Sequence, residues 1–101
     1  MTVYVTQELK GRDLSSALEF GELQVVVPAN VEITPDNMNE VFAIVLARMG
    51  EFDHRHDYLL LSGDPVVMGI VWQYATENVY MGSLRVLRWD RIDSRYIQFD
   101  V

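Results

Sequence analysis

The chain has 101 residues, half of them apolar, so it fits one domain with a real hydrophobic core and is not a disordered tail. It has no cysteine, which excludes disulfides and thiolate-bound metal as staples. The net charge is −7: residues 1–82 hold four basic and twelve acidic groups, whereas residues 83–101 hold four arginines against three aspartates, so most of the surface repels nucleic acid.

No basic-then-apolar leader opens the chain, and no apolar run approaches the roughly 18 residues of a membrane span. The expectation is a soluble cytoplasmic protein with no membrane partner.

Thr2 to Thr6 alternates β-branched and aromatic residues, as a short strand does. Gln7 to Arg12 is a polar connector. Asp13 to Gly21 reads as one or two helical turns, with Asp13 placed to cap the first amides and Gly21 to take the left-handed exit. Leu23 to Val27 carries three consecutive valines between Gly21 and Pro28 and reads as a central strand.

Thr34-Pro35 is a helix start, a threonine cap with proline at the first helical position. Met38, Val41, Phe42, Val45 and Met49 then recur at helical spacing, widened by Ile44 and Leu46, and Gly50 ends the run. After a charged loop, Asp57 to Ser62 is a second central strand. Gly63-Asp64-Pro65 repeats the start signal, with Asp64 as cap. The helix from Pro65 to about Glu77 is apolar nearly all round, which suits deep burial or a subunit interface. Asn78 to Gly82 turns the chain. Leu84–Trp89 and Arg95–Val101 are strand-like runs joined by a hairpin loop.

The order β, short helix, β, α, β, α, β, β predicts a single α/β domain over 1–101. Its sheet is small and mostly parallel, with right-handed crossovers, two long helices and a C-terminal antiparallel hairpin. Two helices cover one face of such a sheet, so a homodimer that covers the other is expected.

Three constellations are candidates for function. In parallel sheets, ligands sit beyond the carboxyl ends of strands, near helix amino ends. Ser62, Gly63 and Asp64 occupy such a junction: Gly63 would let a ligand approach the backbone and Ser62 could donate to it, although Asp64 disfavours an anion. The plainer reading is a well-capped helix. The loop Asp53-His54-Arg55-His56-Asp57 holds both histidines, but zinc needs three or four convergent ligands, so the expectation is a solvated loop with no metal and no cofactor. Arg85, Arg88, Arg91 and Arg95 interleave with Trp89, Tyr96 and Phe99, a composition found at protein interfaces, on single-stranded nucleic acid, or simply on a charge-protected edge. The partner-binding candidates are Arg85, Arg88, Trp89, Arg91, Arg95 and Tyr96. The acidic surface makes a nucleic-acid partner unexpected. There is no dinucleotide fingerprint, Walker pattern or triad spacing, so nothing demands an enzyme.

The run Asp57-Tyr58-Leu59-Leu60-Leu61-Ser62-Gly63-Asp64-Pro65, followed by Leu84-Arg85-Val86-Leu87-Arg88-Trp89-Asp90-Arg91 and Arg95-Tyr96-Ile97, resembles small proteins of tailed bacteriophages. The shared features are a strand–Gly-Asp-Pro–helix segment and a terminal Leu-x-Trp-Asp-Arg hairpin, and Ala17 to Leu23 fits the same pattern. The resemblance implies a small accessory protein made in an infected bacterial cell. It carries over no catalytic residues. The function expected is therefore non-enzymatic: an acidic interaction protein, phage-encoded, that binds or inhibits a host or phage protein. The alternative is a small-ligand or nucleotide-binding module with its site at Ser62-Gly63-Asp64.

Overall fold

A computed structural model describes residues 1–77, 79 and 82–101. The expected turn at Asn78–Gly82 falls largely outside the described residues. Strands β1 (Thr2–Gln7), β2 (Glu22–Val27), β3 (Tyr58–Leu60), β4 (Arg85–Asp90) and β5 (Arg95–Asp100) form one sheet in the order β2-β1-β3-β4-β5. The first four strands run parallel, and β5 returns antiparallel to β4. The mixed α/β class with a C-terminal hairpin is the one the sequence predicts.

The chain steps from β1 outward to β2, then crosses back over β1 to β3. Right-handed crossovers must therefore use both faces of the sheet. A short 3-10 helix, Ser15–Glu19, covers one face, and helices α1 (Met38–Arg48) and α2 (Pro65–Thr76) cover the other. Strand alternation divides the core accordingly. Tyr4, Leu59 and Val86 point to the helices and meet Val41, Val45, Val67 and Val71. Val3, Val5, Leu60 and Leu87 point the other way and meet Ala17, Leu14 and Phe20. The chain's own 14–20 segment thus packs on the second face, with Leu23, Val25 and Trp89 partly buried around it.

Several boundaries differ from expectation for local reasons. The turn at Pro35–Asn37 is 3-10, and Thr34 makes no side-chain cap; the α-helix begins only at Met38. In α1 the buried residues are Val41 and Val45, with Met49 buried just past its end, while Phe42 and Leu46 of the expected stripe face outward. The second central strand is shorter than Asp57–Ser62: the Asp57 side chain takes the Thr2 and Asp53 amides, and the Ser62 backbone bonds the Thr6 hydroxyl instead of a neighbouring strand. At the opposite end Gly21 lies where a Cβ would stand 2.5 Å from the Met1 carbonyl oxygen, so the start of β2 needs glycine beside β1.

Both sheet edges carry a side-chain block. Arg48 donates to the outward Val25 carbonyl of β2 at 3.2 Å. Ser16 accepts the outward Tyr96 N–H of β5 at 3.0 Å. Such contacts occupy backbone groups that would otherwise template pairing with another strand. No described helix is long and apolar enough to cross a membrane.

Candidate functional site

The reversal in strand order falls between β1 and β3, and there the crevice at the carboxyl ends of the strands is the usual ligand position in open α/β sheets. The structure brings Ser62, Gly63 and Asp64 to this place, next to Thr6 and Gln7 at the end of β1. Thr6 and Ser62 are both buried. The Thr6 hydroxyl donates to the Ser62 carbonyl and accepts the Ser62 N–H at 2.8 Å. Gln7 Oε1 accepts the Asp64 N–H at 2.8 Å. The Asp64 carboxylate accepts the Val66 N–H at 2.8 Å and so caps α2, with Pro65 behind it.

Gly63 has φ +91°, and a Cβ there would stand 2.5 Å from Gln7 Oε1 and closer still to Gln7 Cβ. The glycine is needed because the backbone approaches Gln7, a residue that reads in the sequence as mere connector. Gln7 fills the side from which a ligand would reach Gly63. Ser62 Oγ is buried with no hydrogen-bond partner among the described residues.

The histidine loop is organised by its aspartates. Buried Asp57 accepts the Thr2 N–H at 3.0 Å and the Asp53 N–H at 2.9 Å, tying the loop to the start of β1. Asp53 accepts from Arg55 Nε at 3.1 Å and Nη2 at 3.3 Å, and also takes the Arg55 N–H. Those bonds, the Arg55 side chain first, lower the Asp53 carboxyl to about 2. Both carboxylates are thus engaged by donors within the loop.

The hairpin splits its candidates over two faces because Arg88 and Trp89 are neighbours in a strand. Arg85 and Trp89 share the face of the 3-10 helix. The Arg85 guanidinium lies 4.3 Å over the Tyr58 ring and donates to its hydroxyl at 3.3 Å, while Nη2 is buried without a partner among the described residues. Trp89 and Tyr96 pack edge to face at 5.2 Å, and Tyr96 is 1 % exposed, so Tyr96 supports the hairpin from inside. A cleft of about 220 Å³ opens between Trp89, Arg12 and Asp13.

Arg88 and Arg95 lie on the opposite face, where Arg88 sits 4.9 Å over the Phe99 ring. Arg88, Arg91 and Arg95 are all exposed. Ile92, at the hairpin tip, is 92 % exposed and was not among the expected candidates; an apolar residue in the middle of a polar turn is the only signal it gives. The hairpin therefore displays cationic and apolar groups together at one end of an otherwise acidic molecule.

The family model described as Phage Pam3 gp32-like protein matches residues 1–101. No curated protein and no solved structure matches the chain.

Proposed function

The chain belongs to the family of phage Pam3 gp32-like proteins, and from that premise we propose that it is a non-enzymatic interaction protein that docks a host or phage protein through the β4–β5 hairpin. The observation that carries this reading is the display of Arg88, Arg91, Arg95, Ile92 and Phe99 on one exposed element. Arginine and aromatic groups dominate the binding energy of protein interfaces. The rest of the surface is acidic, so it steers away other acidic surfaces and leaves the hairpin as the place where they can approach. Its place of action is the cytoplasm of the infected bacterium.

Capture from bacterial lysate, uninfected and infected, tests the reading. The wild-type chain should retain a specific protein that Arg88→Ala/Arg95→Ala loses, while a Ser62→Ala control keeps it. Equal recovery by all three chains rules the hairpin out.

A second reading has one observation in its favour: the strand-order reversal coincides with Ser62-Gly63-Asp64. A small ligand there would have to displace Gln7. A thermal-shift panel of nucleotides addresses it, because a hundredfold ligand excess over Kd stabilises by roughly 2.7 kcal/mol, a shift of several degrees. No shift with any nucleotide dismisses it.

A further inference from the structure

Strand β5 ends the sheet, so one of its sides has no neighbouring strand. Leu84 and Val101 exchange both of their backbone hydrogen bonds, at 2.7 and 2.9 Å. The register alternates from there, which makes Val86–Phe99, Arg88–Ile97 and Asp90–Arg95 the hydrogen-bonded pairs. The N–H and C=O groups of Tyr96, Gln98 and Asp100 therefore turn away from β4. Ser16 takes the Tyr96 N–H. Among the described residues nothing bonds the outward backbone groups of Gln98 and Asp100, and both residues are exposed. Edge strands are commonly guarded by proline, a bulge or short length. Here the pairing with β4 runs unbroken from Arg95 to Asp100, and that run holds no proline.

The helix side of this open edge is cationic. Arg95, Ile97 and Phe99 share it, and Arg88 reaches across from β4 to lie 4.9 Å over the Phe99 ring. Two guanidinium groups thus flank the half-buried Ile97, and among the described residues neither has a carboxylate within ion-pair distance. Asp90, opposite Arg95, turns its carboxylate to the Asp93 N–H at 3.0 Å. On the other side of the edge the Asp100 carboxylate accepts from Gln98 Nε2 at 2.8 Å. In a chain of net charge −7, an edge with two free arginines on one side is a local exception.

We propose that β5 receives an extended segment of another protein as a further strand, and that this segment presents carboxylate, apolar and carboxylate side chains at alternate positions. Backbone pairing with Gln98 and Asp100 attaches it, as in other cases of strand addition. Its carboxylates then face Arg95 and Arg88, and its apolar residue faces Ile97. A second copy of this chain fits poorly. Paired antiparallel about Gln98, it would set Asp100 of one copy against Tyr96 of the other, whose N–H Ser16 already holds. This inference rests on the hairpin reading and deepens it, by naming the chemistry of the partner and its mode of attachment.

The probe is a short synthetic peptide with glutamate, valine and glutamate at alternate positions and threonine between them. A second peptide carries lysine in place of each glutamate. Titration of the full chain to about 5 mM peptide, followed by NMR, reveals even millimolar binding. The glutamate peptide should shift the Gln98 and Asp100 amide signals and slow their exchange, and the lysine peptide should bind at least about tenfold more weakly. Gln98→Pro removes an outward N–H and no bond to β4, so it should keep the fold by circular dichroism and weaken the glutamate peptide at least about tenfold. Arg95→Glu, at an exposed position, should reverse the preference between the two peptides and keeps the test open should the proline variant unfold. No binding, equal binding of both peptides, or a folded Gln98→Pro chain that binds like wild type overturns the proposal. So does a mass of the peptide-free chain that doubles with concentration unless Gln98 is proline, which assigns the edge to a second copy. In the lysate capture, loss by Arg88→Ala/Arg95→Ala with full retention by Gln98→Pro overturns strand addition and leaves the hairpin reading standing, whereas equal recovery by every chain removes both.

Discussion

Replacing Gly63 with alanine tests how the strand-to-helix junction is built. At φ +91° an L-residue is strained, and such outliers cost of order 1–3 kcal/mol. The new methyl also meets Gln7, whose Cβ is fixed to β1 and cannot rotate away, so the backbone of one element must shift. That shift breaks the Gln7–Asp64 hydrogen bond, worth about 1 kcal/mol. Together these predict a loss of about 3 kcal/mol, a large fraction of the roughly 5–15 kcal/mol of a domain this size. Urea unfolding followed by circular dichroism reads the loss, and for about 100 residues it corresponds to a melting temperature lower by roughly 10–25 °C. A double-mutant cycle with Gln7→Gly separates the two parts: removing Gln7 relieves the collision but not the backbone strain, so the coupling should be favourable by about 1 kcal/mol or more. A Gly63→Ala chain that loses less than about 1 kcal/mol refutes the geometry, because neither strain nor collision could then be present.

Three further outcomes follow from the same structure. Thr6→Val should lose about 2 kcal/mol in urea titration by stranding the Ser62 backbone groups, whereas Ser62→Ala should be neutral or slightly stabilising because its buried hydroxyl has no partner. Asp53 should titrate near 2 by carbon-detected NMR, and Arg55→Ala should return it toward the ordinary carboxylate value of about 4. Because the folded-state value is the lower one, this loop contact is fully present above the unfolded value and is lost as pH falls from about 4 to about 2. Ser16→Ala should cost about 1 kcal/mol and free the outward Tyr96 N–H, and static light scattering should then show more concentration-dependent association than wild type.

The element order was legible because each helix start carries its own local chemistry. Asp64-Pro65 announces α2, and the structure confirms the cap at Val66. Thr34-Pro35 gives the same signal but yields a 3-10 turn, in which the Asn37 N–H bonds the Thr34 carbonyl at 3.0 Å and the α-helix begins only at Met38. The division of α1 was not legible. Val41 and Val45 are as apolar as Phe42 and Leu46, so periodicity alone could not say which pair faces the sheet. Gln7 was missed for a related reason: its role depends on β3 ending beside it, a contact 57 residues away in sequence between Gln7 and Asp64. The split of the hairpin arginines could have been read, because adjacent strand positions point to opposite faces and Arg88 and Trp89 are adjacent.

The most direct test of the proposed function is amide hydrogen exchange on the chain with and without the protein it captures. Hairpin docking predicts new protection confined to the amides of Arg88 to Asp100. Protection at Ser62 to Val66 instead, or no change in the hairpin at saturating partner, contradicts it.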